Sequence, residues 1–420
     1  MRLSTGFLLL SATASALSLP AGYNSNVATL HSLASYAVPP FNARCLDGSP
    51  YEIWVHLATP GSPNANKWVI DLEGGAWCMD LPSCAARAYT PTACDLGSSN
   101  ASCFNSNSLR CANKSESMQF SCLPACNGAR WCGGLFTNSS ATNPLTHDWN
   151  QVYFPYKSGD SRTGNMAEPV MTTYNGASVP LYFRGKANFL AAVDYLLHTL
   201  GMAQAEEVGL TGNSAGGLAT LYHADTLAAL LPASVRTVWA APDSGYFIAS
   251  VAAYPAWRRA LLGMMAMSNG TSALPPACLA AVAAAGGDPA TCAFPEVLAP
   301  HLTTPLFLMN SRYDPALDSI SGGESGSNAS NVNALGRQLL DTVKATVLGP
   351  GRRNAAFITG CHEHCGQWAQ GSDGDFNSTI GGLAAVPALK MWRDSGFASQ
   401  LWVQAPGDSY PCADCCTGGL

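Results

Sequence analysis

The sequence predicts an α/β protein built on a mostly parallel central sheet flanked by helices. Three observations carry that prediction. Short apolar runs of strand length alternate with longer segments of helical period, the pattern of a parallel sheet with crossover helices. Several runs end in loops rich in Gly, Ser, Asp or His, and ligands in such sheets collect at the carboxyl ends of the strands. One of those ends, Gly212-Asn213-Ser214-Ala215-Gly216, has an apolar strand before it and an apolar helical stretch after it.

The elements follow in chain order. Residues 1–16 read as a secretory signal, with Arg2 as the charged start, Phe7 to Leu10 in the apolar centre and Ala14-Ser15-Ala16 as the cleavage site. That centre falls short of the ~20 residues needed to cross a membrane, and no later stretch qualifies. Residues 17–420 are expected to form a single domain. Residues 24–43 read as an approach segment, and residues 51–57 alternate like one strand of a hairpin turned at Asp47-Gly48. Residues 67–72 are a denser apolar run that ends in Glu73-Gly74-Gly75-Ala76-Trp77-Cys78.

Residues 79–150 show little periodicity and are read as a Cys-rich insertion. A loop that long is normally functional or disordered, and cysteines argue against disorder. Residues 151–156 form the next strand and 157–167 a polar loop. Residues 187–200 are an amphipathic helix with Phe189, Val193, Leu196 and Leu197 at helical spacing. The strand 208–211 and helix 218–231 bracket Ser214, and a further run, 235–241, leads to Asp243-Ser244-Gly245. Residues 245–305, rich in Ala, Met and Trp, are expected to form a helical lid in which Cys278 and Cys292 pair. Residues 304–310 then deliver Ser311-Arg312-Tyr313-Asp314, residues 332–347 form a helix, and a last strand, 355–358, delivers Cys361-His362-Glu363-His364-Cys365.

Bulk composition narrows the function classes. A net charge of -6 leaves no electrostatic footprint for nucleic acid. Sixteen cysteines, clustered between Cys78 and Cys132 and between Cys361 and Cys416, predict an oxidised framework of up to eight bridges. Six Asn-x-Ser/Thr sequences (Asn100, Asn113, Asn138, Asn269, Asn328, Asn377) fit glycosylated surface loops. Together these describe a secreted, soluble, disulfide-bonded extracellular protein without stable membrane insertion.

The chemistry follows from the strand ends. Gly-x-Ser-x-Gly between a strand and a helix is a nucleophile elbow, where small residues let the backbone turn sharply and expose the hydroxyl of Ser214. The start of the following helix offers free N–H groups to a developing anion. A Gly-Gly pair at the end of an earlier strand lets backbone N–H groups approach a ligand, which is half of an oxyanion hole. Serine needs an adjacent base, and the base needs an acid to fix its tautomer. Ser214, Asp314 and a histidine at 362 or 364 occur in the chain order of α/β-hydrolases. The competing reading of Cys361-His362-Glu363-His364-Cys365 is a metal site, which would need further ligands.

Four blocks resemble one family. Leu72 to Cys78, Gly212 to Ala219, Asn310 to Asp314 and Cys361 to Cys365 are similar to the signature segments of the pectin acetylesterase/Notum family, secreted carboxylesterases of α/β-hydrolase type. The resemblance spans roughly residues 46–368. It implies a catalytic domain with Ser214 as nucleophile, Asp314 as acid, His364 as base, and the N–H groups of Gly75, Ala76 and Ala215 as oxyanion donors. It implies no cofactor and no metal. Asp243-Ser244-Gly245 resembles a family segment near the pocket. Asn213 departs from the Cys common in plant members, as do the residues after Asp314.

The implied substrate is an acetylated polysaccharide such as pectin. The other branch of the family removes a fatty acyl group from a protein, and Trp257, Leu261, Leu262 and Met264 of the lid bear on that choice through pocket depth. A catalytically inactive carbohydrate-binding relative is a third reading. It would have no chemical need to keep Ser, Asp and His together.

Overall fold

The computed structural model describes residues 27–90, 117–119, 134–137, 139–249, 255–320, 328–365, 378–404 and 409–411. The signal segment, most of the Cys-rich insertion, the sequons at Asn100, Asn113, Asn138 and Asn377, and the Cys412, Cys415 and Cys416 cluster lie outside the described residues. The strands are β1 (Val27–Ser32), β2 (Glu52–His56), β3 (Lys67–Leu72), β4 (Ser117–Gln119), β5 (Asn150–Phe154), β6 (Val170–Tyr174) and β7 (Ala177–Leu181). They continue with β8 (Glu207–Asn213), β9 (Thr237–Asp243), β10 (Phe307–Ser311), β11 (Ala355–Thr359), β12 (Thr379–Ile380), β13 (Leu383–Ala384) and β14 (Gln400–Val403).

Ten of them form one sheet in the order β14-β11-β10-β9-β8-β3-β5-β2-β1-β4. The run from β14 to β5 is parallel throughout. The remaining pairings are antiparallel. This is the α/β-hydrolase-like arrangement that the sequence predicts.

The helices are α1 (Leu81–Tyr89), α2 (Gly185–His198), α3 (Ala215–Leu230), α4 (Pro255–Met267), α5 (Pro276–Ala284), α6 (Pro295–Leu298), α7 (Pro315–Ile320), α8 (Ala329–Thr346) and α9 (Ala385–Asp394). Side chains alternate across a strand, so each strand feeds two layers. Ile70, Leu72, Val208, Leu210 and Ile358 share one core with Phe189 and Val193 of α2, Leu218 and Leu221 of α3, and Leu339 and Val343 of α8. Val69, Tyr153, Trp239, Phe307, Met309 and Phe357 point the other way, onto Val386, Leu389 and Trp392 of α9. The sheet is therefore covered on both faces.

Several expectations are corrected. Residues 27–32 are a strand and not part of an approach segment, and β2 pairs with β1 and β5. The turn at Asp47-Gly48 exists, but it closes only a single bridge, Arg44 to Pro50, with the Asp47 carboxylate accepting the Ser49 N–H. The run 355–358 is not the last strand, because β14 adds beside it at a half-exposed edge whose apolar signal is correspondingly weak.

Inside the Cys-rich insertion, α1 is a regular helix. Its start is a capping box in which the Asp80 side chain accepts the Ser83 N–H and Ser83 Oγ accepts the Asp80 N–H. Cys78 and Cys84 form a disulfide across that start, and Cys278 and Cys292 pair as expected. Cys45 and Cys365 are buried and unpaired, so sixteen cysteines allow at most seven bridges and not eight. A buried thiol packs as a small apolar group. Within the expected lid, the described residues 255–301 are largely helical, whereas 245–249 are not, and Trp257, Leu261 and Met264 of α4 belong to the main core. No helix among the described residues is long and apolar enough to cross a membrane.

Candidate active site

Parallel pairing places the ends of β3, β8, β9, β10 and β11 side by side, so their loops converge. The turn after β8 is the tightest. Ser214 is held at φ 56° and ψ -122°, in the left-handed half of the map that a residue with a Cβ rarely occupies, and α3 starts at the next residue. Gly216 is demanded by space. A Cβ there would lie 1.8 Å from the Leu72 carbonyl oxygen at the end of β3. Gly216→Ala is accordingly expected to destabilise the fold by about 3 kcal/mol or more, because the obstacle is backbone and cannot rotate away. Denaturant titration of the purified variant measures this, and a wild-type midpoint would contradict the crowding.

Ser214 Oγ lies 2.8 Å from His364 Nε2. The other ring nitrogen, Nδ1, lies 2.9 Å from each oxygen of Asp314. Asp314 is nearly buried and also accepts the Ala316 N–H at 2.8 Å, which fixes its carboxylate at the start of α7. Burial disfavours the charged ring of His364, but the Asp314 charge and hydrogen bonds outweigh it and hold the imidazole above its ordinary value. The structure thus brings together Ser214, His364 and Asp314. His362 is exposed and its ring lies tilted against Tyr410, 4.8 Å between centroids.

The base-bearing loop is tied down on both sides of His364. Cys365 N–H donates to Ser244 Oγ at 2.9 Å, and Ser244 Oγ donates to Asp243 Oδ1 at 3.0 Å. Glu363 turns inward, accepting from the hydroxyls of Thr359 and Ser378, and burial pushes its carboxyl above the usual range. The Asp-Ser-Gly segment at the end of β9 therefore supports the loop through Ser244, while Asp314 holds Nδ1. Glu363 and His364 have partners that leave no free pair for a metal, and no cluster of metal-ligating side chains occurs among the described residues.

The loop after β3 lies against the elbow. A Cβ on Gly74 would lie 2.9 Å from Ser214 Cβ, and Gly74 N–H donates to Asn213 Oδ1 at 3.2 Å. Gly75 and Ala76 have φ of 145° and 54°. The N–H groups of Gly75, Ala76 and Ala215 donate to no backbone carbonyl outside helices and strands among the described residues, and Ala215 opens α3. Of the loop after β3 it is Gly74, directly before Gly75, that packs on Ser214, and Ala215 follows Ser214 in the chain. Trp77 Nε1 donates to Ser161 Oγ at 2.7 Å, and Ser161 Oγ donates to the Ala215 carbonyl at 2.8 Å, which couples this loop to the elbow helix. Ser161 gave no signal in the sequence, because it lies in a stretch that reads as an exposed polar loop and is in fact buried.

The model of the pectinacetylesterase family matches residues 27–119 and 100–417. The chain belongs to that family. Among family relatives, pectin acetylesterase 7 of Arabidopsis thaliana is 27% identical over 374 residues, covering 83% of this chain and 84% of the relative. Pectin acetylesterase 5 of the same plant is 33% identical over 276 residues, covering 65% and 54%. The palmitoleoyl-protein carboxylesterase NOTUM of Schmidtea mediterranea is 28% identical over 343 residues, covering 77% and 56%.

In structure, the Wnt deacylase Notum from Drosophila superposes with a TM-score of 0.73 at 22% identity, covering 93% of this chain and 99% of that one. At that identity the likeness establishes the shared fold. The named pectinacetylesterase-family relatives are carboxylic ester hydrolases, some acting on acetyl and others on palmitoleoyl esters.

Proposed function

We propose that this chain is a secreted serine carboxylesterase that removes acetyl groups from pectin or another O-acetylated cell-wall polysaccharide. The hydrogen-bonded series Ser214–His364–Asp314 carries the reading. His364 Nε2 takes the proton of Ser214 Oγ as the oxygen attacks the ester carbonyl. Asp314 holds the ring in the required tautomer and stabilises the imidazolium. The N–H groups of Gly75, Ala76 and Ala215 receive the oxyanion, each such donor being worth ~3 kcal/mol of transition-state stabilisation. His364 then returns the proton to the leaving alcohol as the C–O bond breaks, and water repeats the cycle on the acetyl-enzyme.

A short acyl group is favoured by what stands beside the triad. Phe247 lies 6.1 Å from the His364 ring between centroids, and Trp77, directly after Ala76, contacts both Phe247 and Trp257 at 5.0 Å. Phe247 and Trp257 are 1% and 3% exposed, and Leu261 and Met264 are fully buried. A long acyl chain needs an open apolar channel, and the rings of Phe247, Trp77 and Trp257 pack on one another beside the base, with Leu262 partly buried.

Hydrolysis of p-nitrophenyl acetate against p-nitrophenyl octanoate, with Ser214→Ala as control, tests the reading. Serine-dependent turnover is expected on acetate, with at least about tenfold lower kcat/KM on octanoate, since 1.4 kcal/mol of unfavourable fit already gives that factor. A preference for octanoate would replace it with the fatty-acyl reading. A folded enzyme inert on both would favour a binding role.

A further inference from the structure

One side chain grips the loop after β3 from behind. Arg87 Nη2 donates to the Gly75 carbonyl oxygen at 2.7 Å. We infer that Arg87 is a positioning residue for the oxyanion hole, fixing the Gly75–Ala76 peptide so that the Ala76 N–H faces the reacting carbonyl. The inference rests on the esterase reading above and names a residue that acts through Ala76.

The argument is one of peptide geometry. In a planar trans peptide the C=O and the N–H point in opposite directions, so holding one aims the other. The torsions on either side of this unit would not hold it alone. Gly75, at φ 145°, sits where only glycine moves freely, and Ala76, at φ 54°, sits in a region that a Cβ disfavours. Rotating the peptide would relieve Ala76, point its N–H away from Ser214 and present a carbonyl oxygen in its place. The hydrogen bond from Arg87 opposes that rotation.

Arg87 is itself held. Its guanidinium lies over the Tyr156 ring, 4.8 Å from the centroid. It sits one turn after Cys84 on α1, and Cys84 is bonded to Cys78 at the far end of the oxyanion loop. The Cys78 N–H donates to the Gly159 carbonyl at 3.0 Å, and a Cβ on Gly159 would meet both Cys78 Sγ and Arg87 Cδ. Loop, helix and guanidinium therefore form one packed unit behind the donor.

Arg87→Met keeps the length and apolar bulk of the side chain and removes the donor; Arg87→Lys returns one. The readout is kcat per active site, titrated with an organophosphate, together with KM for p-nitrophenyl acetate and inhibition by a trifluoromethyl ketone that forms a tetrahedral adduct. Arg87→Met is expected to lower kcat about 10- to 100-fold, below the ~10²–10³ of a donor lost outright. KM should stay within about twofold, the inhibitor should weaken by the same factor as kcat/KM, and Arg87→Lys should recover part of the loss.

A purely structural role would lower the titrated fraction and the thermal midpoint while leaving kcat per site unchanged, and that outcome overturns the inference. If Arg87→Met does not fold, Arg87→Lys decides, since its loss in kcat/KM must be matched by loss of inhibitor affinity. A folded wild type inert on p-nitrophenyl acetate, run in parallel, would instead overturn the esterase reading itself, and full activity in Ser214→Ala would overturn its nucleophile.

Discussion

Ser214→Ala is expected to lower kcat on p-nitrophenyl acetate by about 10⁶-fold, His364→Ala by a similar factor, and the double variant by no more than either alone. The expectation follows from the hydrogen bond that joins the two side chains, Ser214 Oγ to His364 Nε2 at 2.8 Å. Residues that act as one unit give non-additive losses, because removing the nucleophile leaves the base with nothing to deprotonate. What remains, ~10³–10⁴ over water, comes from the oxyanion donors and from binding.

Ala215 and Gly216 secure this residual contribution, because the backbone of the elbow stays in place when the hydroxyl is removed. Steady-state kinetics on the three variants, with near-ultraviolet circular dichroism to show the fold intact, measures it. If the losses multiplied, Ser214 and His364 would be acting independently, and the relay would be wrong.

The strands and helices of the central layer were legible because each presents a strong local signal. Residues 68–72 and 208–211 are mostly apolar because β3 and β8 are covered on both faces, and 187–200 shows its stripe because α2 has one wet side. The half-exposed edge strand β14 and the short helix α1 have no such contrast. In α1 the capping box at Asp80 and Ser83 is the local pattern that marks the helix start.

The site residues that carry side-chain chemistry, Ser214, Asp314 and the histidine pair, stood out as rare types at strand ends. Their support did not. Arg87 reaches Gly75 across a disulfide-bounded turn, Ser161 reaches Ala215 from a different strand end, and Ser244 meets Cys365 over a separation that only the folded sheet brings together. Long-range polar contacts of that kind leave no period and no motif in a single sequence.

Asp314→Asn is expected to lower kcat about 10⁴-fold and to move the pH profile as well. The two effects have one origin. With both carboxylate oxygens 2.9 Å from Nδ1, Asp314 enforces the tautomer that leaves Nε2 free to accept the serine proton. An amide at the same place presents an N–H₂ group to Nδ1 as readily as an oxygen, and the tautomer that results has its proton on the wrong nitrogen. Asp314 also supplies the charge that raises the His364 ring against the opposing effect of burial.

In the wild type the rising limb of kcat/KM should therefore lie above pH 6.5, the ordinary imidazole value, and activity should still climb with pH beyond neutrality. In Asp314→Asn the charge is gone and burial remains, so the limb should fall to 6.5 or below. Stability carries the matching sign. A ring whose folded pKa is raised contributes stability that is fully present below its unfolded value and is lost as pH rises through the folded one. Denaturation midpoints should accordingly decline on the alkaline side in the wild type, and Asp314→Asn should flatten that decline. A wild-type limb below pH 6.5 that Asp314→Asn leaves in place would mean that Asp314 does not govern the base.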